Sequence, residues 1–326
     1  MKYQEVGQLM LTVWHEIEMK YNFKNKKIIL EKQNTDNYIS INGRDKYLSY
    51  LGGKEPTGKG GNSFVFNVND FNDEENPKII KLCKYFLPSQ NPFVKKQHQR
   101  FDREIRALRK AETLEINDFL VKVLETGTTT VSGKKFKYYT MEKADYDLGS
   151  FLAETPLNLD MKIQLCLELI EAFIKLHSIG IYHRDIKPDN IFFIDDRWKI
   201  GDLGLATMRD EDYSIDGYKE KIGPFGFLSP EALNKAIGNR ELEGFSLDCD
   251  IDDKSDVFQI GKVLWYIIQG EVPSGQLHID DFKEKKILSV FETVIKPALQ
   301  FAKNRRPSFA ELKSNILLTC EALQLT

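Results

Sequence analysis

The chain has 326 residues, 46 Lys and Arg against 49 Asp and Glu, and a formal net charge of −3. That length suits one domain built of two lobes rather than a single small core, and the charge balance gives no case for a nucleic-acid or membrane-surface partner. No apolar run approaches a membrane span and no signal-peptide core opens the chain, so a cytoplasmic protein is expected.

Residues 1–46 read as an N-terminal extension. Val6, Leu9, Met10, Val13, Trp14, Ile17 and Tyr21 recur at helical spacing and predict an amphipathic helix. Ile28 to Leu30 and Tyr38 to Ile41 read as strands, with Asn42-Gly43 as a hairpin turn. An extension packed on the following domain and a docking or autoregulatory element both fit this pattern. From Gly58 the chain runs Gly-Lys-Gly-Gly-Asn-Ser-Phe-Val to Val65, and such glycines let backbone N–H groups approach a phosphate. Phe64 to Val68 then reads as a hairpin's second strand. Counted from Gly53, the same region half matches the P-loop pattern. That pattern is set aside because Gly60 stands where a Ser or Thr is needed and a strand rather than a helix is expected next.

Lys78-Ile79-Ile80-Lys81 predicts a strand. Arg100 to Leu108 predicts a helix with Phe101, Ile105 and Leu108 on one face and Glu104 beside it. Tyr138-Tyr139-Thr140-Met141-Glu142-Lys143-Ala144 follows as a strand and its exit. The densest stretch is His183-Arg184-Asp185-Ile186-Lys187-Pro188-Asp189-Asn190, with Asp202-Leu203-Gly204 opening twelve positions after Asn190. Ser229-Pro230-Glu231, Asp256 to Gly261 and Arg305-Arg306-Pro307-Ser308 complete the sequence landmarks. Cys83, Cys166, Cys249 and Cys320 lie far apart and read as reduced thiols.

In this order the landmarks resemble the signature set of the eukaryotic-like (Hanks-type) protein kinase family. The resemblance runs from about residue 47 to the last helix. It implies an α+β, two-lobed protein kinase fold: a small β-rich N-lobe with one key helix over about 47–143, and a larger, mainly helical C-lobe over about 144–326. It also implies an enzyme using ATP and Mg2+ to phosphorylate a protein substrate, of serine/threonine type because Lys187 favours that over tyrosine. By the same resemblance Asp185 orients the attacking hydroxyl, Lys187 steadies the γ-phosphoryl, and Asn190 with Asp202 holds Mg2+. Gly58, Gly60, Ser63 and Val65 would cover the phosphates, and Lys81, paired with Glu104, would neutralise them. Ile79, Met141, Glu142, Ala144 and Phe192 would surround adenine, and Asp147 would bond the ribose. Arg306 would pair with Glu231. A small-molecule kinase of the same fold and a nucleotide-binding pseudokinase are the alternatives. The former has little need of Lys187, Ser229-Pro230-Glu231 and Arg306; the latter is expected to lose one of Lys81, Asp185, Asn190 or Asp202.

Five departures from the family pattern stand out. Ile79 replaces a small alanine and, with Phe192, narrows the adenine slot. Leu203 replaces a phenylalanine. Pro224 stands where serine/threonine kinases carry a threonine, and its side chain has no hydroxyl to offer. Glu220, four positions before Pro224, lies where a phosphorylated residue commonly answers Arg184, so a permanent carboxylate, helped by Arg100, is expected to serve there. Between Glu231 and Asp256 the chain is longer than usual and acidic, with Glu241, Glu243, Asp248, Asp250, Asp252 and Asp253. That run is expected to favour basic residues near the acceptor by long-range attraction.

Overall fold

The computed structural model describes residues 19–22, 24, 26–31, 37–53, 61–70, 73–114, 117–209, 215–216, 220–238, 241–242 and 245–323. The expected helix at Val6 to Ile17, together with Gly58 and Gly60, lies outside them. The chain divides into two compact units, residues 1–101 with 122–143, and residues 102–121 with 144–326.

The first unit is a small β-rich lobe. It opens on a short antiparallel pair, β1 (Lys20–Asn22) with β2 (Lys27–Ile29), so Tyr21 sits in a strand and not on the expected helix. Six strands follow: β3 (Tyr38–Ile41), β4 (Arg44–Ser49), β5 (Ser63–Asp70), β6 (Asp73–Cys83), β7 (Val123–Val131) and β8 (Lys134–Glu142). They form one sheet in the order β3-β4-β5-β6-β8-β7, and every neighbouring pair is antiparallel. Residue 46 itself lies within β4. Asn42 and Gly43 turn β3 into β4 with φ of 50° and 75°, the mirror-image turn that matches strand twist. Ser132 and Gly133 do the same between β7 and β8, at 48° and 68°.

Alternation decides which face is buried. Phe66, Ile80, Leu82, Phe136 and Tyr138 meet Ile39, Ile41, Leu48 and Val131 in one core, and Met19, Tyr21, Ile28 and Leu30 join it. Tyr21 packs 5.3 Å from Phe136, ring centre to ring centre. Each such side chain contributes about 1.5–3 kcal/mol on burial, which explains why the segment before β3 stays on this lobe.

Helix α1 (Pro92–Thr113) contributes residues to both units. Asn91 accepts from the N–H groups of Phe93 and Val94, and Pro92 occupies a first-turn position where no N–H is missed. Its buried face includes Phe101, Glu104, Ala107 and Leu108.

The second unit is mainly helical. It carries the short β9 (Tyr146–Asp147), helices α2 (Leu148–Glu154) and α3 (Leu159–Ser178), β10 (Ile181–Tyr182), the hairpin β11 (Ile191–Ile194) with β12 (Arg197–Ile200), and β13 (Thr207–Met208). Helices α4 (Pro230–Ile237), α5 (Asp253–Gln269) and α6 (Phe309–Leu323) follow. α5 is buried on nearly every side, as a helix at the centre of a domain must be. Asp252 and Ser255 close its first turn with a capping box, and Gly270 at φ 81° ends it. Phe173 of α3 stacks on Phe309 of α6 at 5.6 Å. Cys83, Cys166 and Cys249 are buried free thiols, and burial pushes the Cys166 thiol far above its ordinary range. Among the described residues no helix is long and apolar enough to cross a membrane.

Candidate active site

The β11–β12 hairpin folds the chain back on itself and brings its two ends together. Its register pairs Ile191 with Ile200, and Gly201 donates its N–H to the Asn190 carbonyl at 3.0 Å. Asn190, just before the hairpin, therefore sits beside Gly201 and next to Asp202. The side-chain amide of Asn190 reaches back to Asp185, donating to its carbonyl at 2.8 Å and to Oδ2 at 2.9 Å. With Nδ2 spent in this way, Oδ1 is the atom of Asn190 left to face a ligand. An amide oxygen and the Asp202 carboxylate suit a hard cation such as Mg2+, which takes few protein oxygens and completes its shell with water and phosphate. Lys187 is part-exposed, with Asp189 Oδ2 3.7 Å from its ammonium.

Every backbone N–H from His183 to Ile186 has a side-chain acceptor. Asp256, at the start of α5, takes those of His183 at 2.7 Å and Arg184 at 2.8 Å. His183 Nδ1 takes that of Asp185 at 3.2 Å, so Nε2 carries the proton and donates to the Gly201 carbonyl at 3.1 Å. Gln259, one turn along α5, accepts from Ile186 at 2.9 Å and donates to the Arg184 carbonyl at 3.2 Å. This bracing holds two residues in the left-handed region, Arg184 at φ 68° and Asp202 at φ 53°. Such backbone costs on the order of 1–3 kcal/mol per residue and persists only where the surroundings over-determine it. Burial pushes the Asp185 carboxyl above its ordinary value, and Asp202 adds to this; Lys187, His183 and Asn190 pull the other way.

In the first unit, strand register brings the other expected residues onto one face. Val65 lies opposite Lys81, and Lys81 opposite Tyr139; Ile79 lies opposite Met141. Directly opposed residues share a face, as do residues two apart, so Val65, Ile79, Lys81 and Met141 line the side turned away from the aromatic core. Lys81 is buried, its ammonium 5.8 Å from the centre of the Tyr139 ring. Ser63 begins β5, so a strand follows the glycine stretch, which a P-loop does not allow. Glu142 is tied to Lys122 through its carboxylate at 2.8 Å. In the second unit, Glu104 is buried close to the Asp202-Leu203-Gly204 turn: a Cβ on Gly204 would lie 3.7 Å from Glu104 Oε2. Phe192 packs against Gly201, and Ala144 is half-buried.

Asp147 caps α2: its carboxylate accepts from the N–H of Ser150 at 2.9 Å and the hydroxyl at 2.7 Å. A short polar side chain in an extended residue before a helix is drawn to the orphan N–H groups there. Among the described residues the acid on Arg184 is Asp216, 2.5 Å from Nη2, rather than the expected Glu220. From α1, Arg103 approaches the same carboxylate, its Nη2 3.7 Å from Oδ1. Tyr213, Ser214 and Tyr218, the nearby phosphorylatable residues, lie outside the described residues.

The landmarks further along are joined by a buried ion pair. Arg306 donates to both oxygens of Glu231, at 2.8 and 2.9 Å, and Ser255 adds a bond at 2.6 Å. Burial opposes the Glu231 charge, but Arg306 and then Ser255 outweigh it and hold the carboxyl below its ordinary value. In the acidic run, Asp248 and Asp252 both bind Lys303, at 3.0 and 2.8 Å. Sequence alone missed Asp216, and the bracing role of Asp256 and Gln259. No local signal separates Asp216 from the four other acids from Asp210 to Glu220, because the arginines it meets lie far away in sequence.

The family described as the protein kinase domain matches residues 54–325. The chain belongs to that family. Its fold is the bilobal one, with a β-rich N-lobe and a larger helical C-lobe. The chain is similar to the dual specificity protein kinase TTK of Mus musculus, 26% identical over 236 residues, which are 72% of this chain and 25% of that protein. It is also 26% identical to a Wee1-like protein kinase of Oryza sativa subsp. japonica, over 84% of this chain and 48% of the relative. Against the serine/threonine-protein kinase mph1 of Schizosaccharomyces pombe the identity is 26%, over 68% of this chain and 31% of the relative. The chain thus spans between a quarter and a half of these relatives. The shared domain is that of ATP-dependent phosphotransferases.

Proposed function

We propose that this chain is a protein kinase that transfers the γ-phosphoryl of Mg-ATP to a serine or threonine hydroxyl of a protein. The observation that carries this is the Asn190 amide bound to Asp185, with Asp202 beside it across the β11–β12 hairpin. Asn190 Oδ1 and Asp202 would hold Mg2+, which would supply charge neutralisation at the transferring phosphoryl. Asp185 orients the acceptor hydroxyl and takes its proton late, and its bond to Asn190 fixes the carboxylate for that task. Lys187 steadies the γ-phosphoryl and Lys81 the α- and β-phosphates. Serine/threonine specificity rests on Lys187; Pro224 and the mixed names of the relatives leave the acceptor type to experiment. All four of Lys81, Asp185, Asn190 and Asp202 are present, which favours an enzyme over a binding module. A soluble, cytoplasmic protein and a preference for basic residues near the acceptor belong to the same proposal, the latter weakened by the engagement of Asp248 and Asp252 with Lys303.

The test is Mg2+-dependent transfer of labelled phosphate from ATP to a generic protein mixture, followed by mapping of the modified residues. Phosphoserine and phosphothreonine on protein are expected. Turnover that leaves protein unlabelled, or only phosphotyrosine, would overturn the assignment.

A further inference from the structure

Two guanidinium groups from separate elements converge on one carboxylate inside the second unit. Arg103 comes from α1, next to Glu104, and Arg184 from the catalytic loop, next to Asp185. Both reach Asp216, and the three side chains are 1%, 3% and 2% exposed, respectively. An arrangement this deep is not an incidental surface pair. Buried charges of like sign repel strongly and are costly to desolvate, so two arginines can share such a place only around an anion. Arg184 is also held at φ 68°, a conformation that its surroundings must enforce. Asp256 and Gln259 brace its backbone from one side; Asp216 is the contact that fixes its side chain.

We propose that Asp216 is a positioning residue for phosphoryl transfer, a permanent anion that sets Arg184, and through it Asp185, without phosphorylation of the segment between Asp202 and Glu231. The inference rests on the kinase assignment above. A phosphate brings nearly two charges and three acceptor oxygens where a carboxylate brings one charge and two. Arg184 Nε has no hydrogen-bond acceptor among the described residues, as expected where the smaller anion serves.

The experiment compares phosphatase-treated wild type with Asp216→Asn, Asp216→Glu and the double variant Arg184→Gln/Asp216→Asn. It measures kcat, KM for ATP, thermal unfolding, and amide hydrogen exchange at residues 184–186. Phosphate-free wild type should be active. Asp216→Asn should lose about tenfold or more in kcat with KM for ATP nearly unchanged, because small misplacements of a catalytic group cost up to about 100-fold. Asp216→Glu should keep most of the rate. The double variant removes one of the two cations together with the anion, so it should recover part of the stability lost in Asp216→Asn yet stay slow. Exchange at residues 184–186 should speed up in Asp216→Asn. The proposal falls if Asp216→Asn turns over like wild type, if the double variant regains the full rate, or if wild type is silent until phosphorylated. Should wild type transfer no phosphate in any state, the kinase assignment fails, and the exchange data alone then decide whether Asp216 holds the loop.

Discussion

Asp256 accepts the backbone N–H of Arg184 at 2.8 Å, so the first turn of the buried helix α5 holds the residue that precedes Asp185. The same carboxylate takes His183 N–H at 2.7 Å and His177 Nε2–H at 2.9 Å. Asp256→Asn would set an amide N–H₂ against at least one of these donors. We expect a loss of about 2–4 kcal/mol in stability, from buried donors left unsatisfied, and a fall in kcat at temperatures where the variant is still folded. Denaturant unfolding paired with steady-state kinetics measures both.

Asp185→Asn removes the carboxylate proposed to orient the acceptor but keeps a side chain of the same shape. Turnover should fall by several orders of magnitude with little loss of nucleotide affinity, since the group acts mainly in the transition state. Direct ATP-binding measurements beside single-turnover rates check this; an equal loss of affinity contradicts the role.

The Glu231–Arg306 pair makes stability depend on pH in a definite direction. The folded carboxyl titrates below its ordinary value of 4.5, so as pH falls the unfolded chain takes up that proton first. The pair's contribution is therefore complete above about pH 4.5 and is lost as pH drops through the lower folded value. Glu231→Gln should be less stable than wild type at pH 7, by about 3–5 kcal/mol for a broken buried pair. The gap should narrow in more acid solution. Thermal melts from pH 7 down to pH 3 report it, and a constant gap would refute it.

Gly201 is where the Asp202 turn touches the hairpin. An added Cβ would lie 2.7 Å from Phe192 Cε2 and 2.9 Å from Val121 Cγ2, closer than packed atoms tolerate. Gly201→Ala should cost about 1–3 kcal/mol by overpacking and disturb Asp202, so activity should fall with it. Phe192→Leu in the same chain should restore part of the loss, and a double-mutant cycle reads that coupling.

Charge in the acidic run is already partly spent, since Lys303 binds Asp248 and Asp252 and its ammonium is held charged against the cost of burial. Neutralising Asp250 and Asp253 should reduce any preference for Lys or Arg in peptide arrays, with the effect fading at high salt as long-range attraction is screened. Equal profiles for the two proteins at low salt would show that the run does not read the substrate.

What the sequence determined by itself was local or carried by spaced signatures. Asn42-Gly43 specifies its turn because few residue pairs accept positive φ twice. The alternation around Phe66 and Ile80 sends those side chains to the core and Lys81 to the other face. His183 to Asn190 followed by Asp202 is compact enough for its order alone to announce the site. Tertiary structure decided which charge meets which. Glu220 and Asp216 are equally plausible acids along the chain, yet among the described residues Asp216 is the acid on Arg184, because a turn at residues 215–216 carries it inside. No local signal ties Asp147 to Ser150, and the orphan N–H groups at the start of α2 draw it there. Buried ionic partners are set by where the backbone passes, and that is a property of the packed chain rather than of any segment read alone.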